Sequence, residues 1–362
     1  MKPLVRPMVA LLALWCVAAD WRVAEPGWDY QFPRDHHAHP EFKTEWWYFT
    51  GNLADARGRR FGYELTFFRQ GIRPPNERSP ELSRFVTGDL KFAHFTITDA
   101  AAKQFHVAQK TSRGAYGEAG FDNDDALTWI DEWNLRMDAA GKFHLVAEMK
   151  DAAIELELAA TKPPAIHGQN GVSEKAAGAG HASHYYSLPR LTSGGEVRIG
   201  SRKFSVTGES WFDHEWATNQ LAPEQVGWNW LSLQLDDGSD LMLYQMRLAN
   251  GAPDPSSSGT LIGPDGATTY LSASEFQMTP RTFWKSAKTG ANYPIGWRVE
   301  LPRYGLDFDV KAVIENQELA LIPLAYWEGA VDAVGKRNGH EIKGRGYLEL
   351  TGYAGVLREL QR

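Results

Sequence analysis

The stretch Trp46-Trp47-Tyr48-Phe49-Thr50-Gly51-Asn52-Leu53 leads through a turn at Gly58 into a second alternating run that closes on Arg69. The same plan returns later in the chain. Trp228-Asn229-Trp230-Leu231-Ser232-Leu233-Gln234-Leu235 leads through Gly238 into a run closing on Arg247. Each reads as an aromatic-rich strand, a hairpin and a partner strand. The repetition predicts two similar β units in tandem.

Working outward, period-2 alternation recurs at residues 63–69, 92–98, 143–149, 153–158 and 241–247. Clusters such as Asp55-Ala56-Arg57-Gly58 and Asp236-Asp237-Gly238 supply turn chemistry between the runs. Helical patterns are scarce; residues 118–127 and 272–276 are the candidates for short helices. Many even strands with turn punctuation point to an all-β sandwich or barrel. Residues 162–183, rich in Gly, Ala, Pro and His, read as a long loop in the first half. Such a loop is either functional or a mobile surface feature.

The chain has 362 residues, 43% hydrophobic and 23% charged, with a formal net charge of −7. This suits a globular protein of two domains and, lacking a basic run, argues against nucleic acid as a partner. Lys2 and Arg6 precede an apolar stretch over residues 8–19, too short for a bilayer-spanning helix. It reads as a secretory signal over residues 1–19, with Val17-Ala18-Ala19 as the cleavage region. The expected location is the periplasm or cell envelope, and the protein is not expected to be integral to a membrane. Cys16 is the sole cysteine and follows bulky Trp15, which disfavours lipid anchoring. Its loss with the signal leaves no thiol for a disulfide, nucleophile or metal.

Two motifs interleave aromatic and charged side chains: His36-His37-Ala38-His39-Pro40-Glu41-Phe42-Lys43-Thr44-Glu45-Trp46-Trp47-Tyr48 and Gly208-Glu209-Ser210-Trp211-Phe212-Asp213-His214-Glu215-Trp216. With Tyr185-Tyr186-Ser187-Leu188-Pro189-Arg190, Trp228-Asn229-Trp230, Tyr326-Trp327-Glu328-Gly329 and Gly344-Arg345-Gly346-Tyr347-Leu348-Glu349-Leu350, they resemble the AttH-like and carotenoid 1,2-hydratase (CrtC) family of lipocalin-like predicted secreted hydrolases. The resemblance spans nearly the whole chain after the signal. It implies two lipocalin-like β-barrels in tandem, over residues 24–219 and 223–362. The hydratases of this family are thought to protonate an alkene and capture the cation with water. Such chemistry needs a protonated carboxyl in an apolar pocket and aromatic faces for the cation. The family's His-x-aromatic pair maps onto His214 and Trp216. Its acid near Tyr244 has no counterpart, since Gln245 and Met246 follow. The resemblance is therefore nearer the AttH side, whose members are associated with ABC-type export systems.

On the residues themselves, Asp213, His214 and Glu45 are the acid–base candidates. In a strand, Asp213 and Glu215 share one face while His214 and Trp216 share the other. A histidine facing a pocket suits proton transfer, and a carboxyl beside indoles has a raised pKa. The competing readings are a buried polar network and a pairing of Glu45 with Arg190 or Arg69. Trp46, Trp47, Tyr48, Tyr186, Arg190, Trp211, Trp216 and Tyr244 are the expected ligand-binding residues. His36, His37, His39, His181 and His184 lack the fixed spacing of a metal site, and no metal or cofactor is expected. Ser210 lacks a nucleophile elbow. The functional expectation is an exported protein binding an apolar or amphipathic molecule, lipid- or isoprenoid-like, near the domain junction. The alternatives are a hydratase or hydrolase and a non-catalytic partner of an ABC transporter.

Overall fold

The computed structural model describes residues 21–78, 83, 86–123, 125–321 and 324–355. The expected signal at residues 1–19, with Cys16, lies outside the described residues. The protein is all-β, with two curled, barrel-like sheets of thirteen and ten strands. The only helical segments among the described residues are the short 3-10 turns Arg34–His36, Pro75–Glu77 and Pro302–Tyr304.

The duplication is visible in the pairing. In the first sheet Thr44–Asp55 lies between Arg60–Gly71, its hairpin partner, and Arg202–Ala217, the sheet's last strand. In the second, Gln225–Leu235 lies between Asp240–Leu248 and His340–Leu350 in the same relation. Each half closes its first strand onto its last. Residues 118–127 form a hairpin of Ala119–Asn123 and Ala126–Ile130 where a helix was the expectation. Gly117 and Asp122 have positive φ, and the Trp129 indole lies over Gly120, close enough to bar a Cβ there. Near residue 275 the strand Thr268–Ser272 ends in a turn whose Ser272 N–H donates to the Glu275 carboxylate. Both departures are local turn chemistry overriding a weak helical pattern.

Register assigns the faces. Trp47 pairs with His214 and Phe49 with Phe212, and all four point into the first sheet's interior. Their neighbours Trp46, Tyr48, Asp213 and Glu215 therefore point outward, toward the second half. A filled core occupies each barrel, and a third cluster, including Tyr48, Tyr185, Trp211, Trp230, Met242 and Tyr347, lies between them. Contact there is close: a Cβ on Gly62 would come within 2.8 Å of both the Ala330 methyl and the Tyr347 hydroxyl.

Polar bolts cross the same junction. Arg60 donates twice to Asp332, at 2.8 and 2.6 Å. Asp240, fully buried, accepts from Lys162 at 2.5 Å and Arg190 at 2.7 Å. Residues 162–183 are thus strapped onto the second half. Removing the shared acceptor takes the one carboxylate from Lys162 and leaves Arg190 with Glu209 and two carbonyls, a loss of about 1.5–3 kcal/mol for each charged hydrogen bond. Asp240→Ala is accordingly expected to lower the urea unfolding midpoint markedly; an unchanged midpoint would show that this bolt carries no stability.

Candidate functional site

A cavity of about 670 Å³ opens between the two halves. Strands of both sheets wall it, with residues 162–183 contributing Lys175 and residues 218–224 contributing Gln220 and Leu221. Its outer part carries a broad apolar surface from half-buried Trp46, Phe68, Phe92, Trp228 and Leu324, with Phe68 and Phe92 stacked at 4.5 Å, beside the polar Gln70, Gln109 and Thr111. Its buried floor is polar and aromatic: Asp213, Tyr48, Tyr185, Trp230, Tyr326 and Lys175.

Asp213 is the centre of the floor. Its Oδ2 accepts from the Tyr185 hydroxyl at 2.6 Å, and its Oδ1 accepts from Ser187 and, at 2.5 Å, from the Trp211 indole. Tyr185 in turn accepts from Trp230 Nε1 at 3.0 Å. Since Ser187 donates to Asp213, it accepts from His167 Nε2–H at 2.5 Å, which leaves His167 Nδ1 to accept from Thr260 at 2.8 Å. Burial, with Lys175 nearby, keeps His167 neutral, well below its ordinary pKa, as this chain requires. Burial pushes the Asp213 carboxyl up to about 7 despite its three donors.

Further acids surround it. Burial lifts Glu349 to about 7 against the pull of the Trp228 indole, which donates to it at 2.8 Å. Glu328 accepts from the Tyr48 hydroxyl at 2.7 Å and is held well above the carboxylate range by burial, with Glu349 and Glu64 adding to the lift. Burial raises Glu64 to about 8. The second oxygens of Glu64 and Glu328 have no hydrogen-bond partner among the described residues, an arrangement tolerable only for the neutral acid. Glu215 differs because Lys175 is 3.0 Å away. Burial pulls the Lys175 ammonium down, but Glu215, Tyr244 and Asp213 more than offset it and leave it above its usual pKa. The ammonium lies 4.1 Å from the Tyr244 ring centre.

The AttH-like family model matches residues 23–353. The chain belongs to the AttH-like family. A crystal structure of an AttH protein from Nitrosomonas europaea is 33% identical, with a TM-score of 0.82, over 92% of this chain and 99% of that one. Kievitone hydratase from Nectria haematococca shares the fold at 14% identity, TM-score 0.71, over 90% of this chain and 93% of its own. Dehydratase asqC from Emericella nidulans is 28% identical over 212 residues, which are 56% of this chain and 58% of that relative's length. That match spans little over half of the fungal protein.

In this AttH-like chain the cavity gathers only part of the set expected from sequence. Asp213, Trp46, Tyr48 and Tyr244 line it. Trp211 sits behind the wall, bound to Asp213, and Arg190 belongs to the Asp240 bolt and a further pair with Glu209. His214, Glu45, Trp47, Tyr186 and Trp216 lie in the first barrel's interior, off the cavity. There Glu45 accepts from His39 Nδ1 at 2.8 Å, His214 Nε2 at 3.0 Å and Arg69 at 3.0 Å, so its partner is Arg69 and not Arg190. The His39 ring also reaches Asp35 at 3.3 Å and stacks on Trp216 at 3.7 Å. This network ties residues 35–45 to the sheet. His39, Glu45 and His214 do converge like metal ligands, all within 4.8 Å of one another. Their facing atoms are spent on each other and on Arg69, which suits a closed ion cluster better than a cation site.

Lys175, Glu215, Glu349, Tyr185, Trp228 and Trp230 complete the cavity and were not among the expected site residues. Their signal in sequence is slight: a single carboxyl inside an apolar strand, as in Leu348-Glu349-Leu350.

The buried acids couple stability to pH. Asp213, Glu349 and Glu64 have folded pKa values above their unfolded ones, so their contribution is complete below about pH 4 and is lost as pH rises through about 7 to 8. His39, also raised, acts in the same direction above neutrality. The urea midpoint is therefore expected to fall between about pH 6.5 and 8.5, with a shallower fall in Asp213→Asn. A midpoint that rises over this interval would show that these acids are ionised in the folded protein.

Proposed function

We propose that this AttH-like protein is an acid–base enzyme of the hydratase or dehydratase type, acting on a largely apolar molecule held in the junctional cavity. The observation that carries the reading is Asp213: a buried carboxyl near neutrality, fixed by three donors on the floor of an aromatic-rimmed cavity. A likeness in fold to one hydratase and in sequence to one dehydratase supports the same class, since water addition and water removal are one reaction run in two directions.

The chemistry follows from the donor set. Ser187 and Trp211 fill both lone-pair directions of Asp213 Oδ1. The acid proton therefore resides on Oδ2, which has one direction left beside Tyr185. In hydration, Asp213 gives this proton to an alkene carbon, and the faces of Tyr48, Tyr185 and Trp230 stabilise the cation formed. Water then adds to the cation and gives up a proton to ionised Glu349. In dehydration Asp213 protonates the departing hydroxyl, water leaves, and Glu349 takes the proton from the adjacent carbon. Both acids lie at about 7, with Asp213 adding to the lift on Glu349, so one can serve as the acid while the other serves as the base near neutrality. Action in the periplasm or cell envelope, and on a lipid- or isoprenoid-like molecule, belongs to the same proposal.

A panel of alkenes, tertiary alcohols and β-hydroxy ketones incubated in oxygen-18 water tests it by mass spectrometry. The expected result is gain, loss or exchange of one water in a member of the panel, with a bell-shaped rate profile centred near pH 7. Asp213→Asn should cut turnover by about 10²–10⁴ while binding is largely kept. Retained turnover in that variant would remove Asp213 from the mechanism. Binding without any water chemistry would return the protein to the role of a carrier.

A further inference from the structure

The charges on the cavity wall restrict what can enter. Three carboxyl groups, from Asp213, Glu215 and Glu349, face it. Lys175 is the one lysine or arginine among the described residues that line it, and it is already paired with Glu215 at 3.0 Å. Three N–H donors around the floor are committed as well. Trp228 gives its indole proton to Glu349, Trp230 to Tyr185, and Gln220 donates to Glu215 at 3.2 Å. The Tyr48 hydroxyl is spent on Glu328. On the floor, among the described residues, no second cation is left to meet a carboxylate, sulfate or phosphate group.

We infer that this cavity takes uncharged amphipathic molecules and turns organic anions away, an inference that rests on the junctional cavity being the binding site proposed above. A neutral hydroxyl or carbonyl needs only one partner on the floor, and Asp213 Oδ2 supplies it as donor or acceptor. The rest of the molecule then lies along Trp46, Phe68 and Phe92 toward the rim. An anionic head in the same place would be buried beside three acids with its only countercharge already used, and an unpaired buried charge is costly. A volume of about 670 Å³ suits a ligand of drug-like size.

The selection depends on Glu215, because it occupies the ammonium an anion would otherwise take. Removing its charge while keeping its shape frees Lys175 and should admit anions. Retinol and retinoate test this as matched probes, with one apolar skeleton and either a neutral or an anionic head. Quenching of intrinsic tryptophan fluorescence in the whole protein, at about pH 8 where retinoate is ionised, reports both affinities. The wild type is expected to bind retinol at least about tenfold more tightly than retinoate. Glu215→Gln should raise the retinoate-to-retinol affinity ratio about tenfold through a gain for retinoate. Equal or tighter binding of retinoate by the wild type overturns the inference. So does a folded Glu215→Gln protein, checked by circular dichroism, with no gain for retinoate. Quenching by neither probe is a different failure: it removes the binding site itself, and the inference with it.

Discussion

Pairing of Thr44–Asp55 with Arg202–Ala217 is the constraint on which the molecule depends, because over residues 44–51 and 210–217 the paired strands are covered on both faces. A strand has two sides, and over these residues each side meets protein. One side, through Trp47, Phe49, Phe212 and Trp216, fills the first barrel. The other, through Trp46, Tyr48, Asp213 and Glu215, becomes the wall of the cavity once the second half packs against it. A slip of one residue in this register would exchange the two sets. It would drive Asp213 into a hydrocarbon core and His214 into the cleft. The fold and the site are thus fixed by the same row of hydrogen bonds.

The two faces give identical functional groups opposite electrostatics. Inside the first barrel Glu45 meets Arg69 and two imidazoles, and these partners hold it ionised well below the usual carboxylate range, though burial acts the other way. At the junction Asp213, Glu349, Glu328 and Glu64 meet mostly hydroxyl and indole donors and one another, so burial wins and their pKa values rise. Neutral donors stabilise a carboxylate less than cations do, and the balance tips at that difference. A barrel interior with its ions paired is a structural device. A junction stocked with acids near neutrality stores proton donors and depends on the second half to keep water out.

Alternation made the all-β class, the hairpins at Gly58 and Gly238 and the duplicated plan legible in the sequence, since a period of two survives in the residue order. It also separated Asp213 and Glu215 from His214 and Trp216. Which face would meet the cavity was not legible. In Trp211-Phe212-Asp213-His214-Glu215-Trp216 both faces carry an aromatic and a titratable group, so amphipathicity has no direction to give. Only the packing of Phe212 on Phe49, a contact between residues far apart in the chain, decides it. The same limit hid Glu349 and Glu328, whose surroundings exist only after the halves meet. Lys175 was hidden differently, in a loop of Gly, Ala and Ser without a pattern of its own, held by side chains elsewhere.

That loop explains why the two halves act as one site. Residues 162–183 run along the edge of the first sheet and reach the second half through contacts that include Lys162 with Asp240, His167 with Thr260 and Ser173 with Tyr244. The same segment carries the ammonium that pairs with Glu215 and the imidazole that fixes Ser187 on Asp213. The strap therefore sets two properties of the floor together, its net charge and the orientation of its central acid. Neither half contains a complete floor: Asp213, Tyr185 and Lys175 come from the first, Trp230, Tyr244 and Glu349 from the second. With both barrel interiors filled, the cavity lies between them, where buried aromatic surface and carboxyl groups of both halves meet. In a single lipocalin-like barrel that role falls to the interior, and here the interior is already occupied by core.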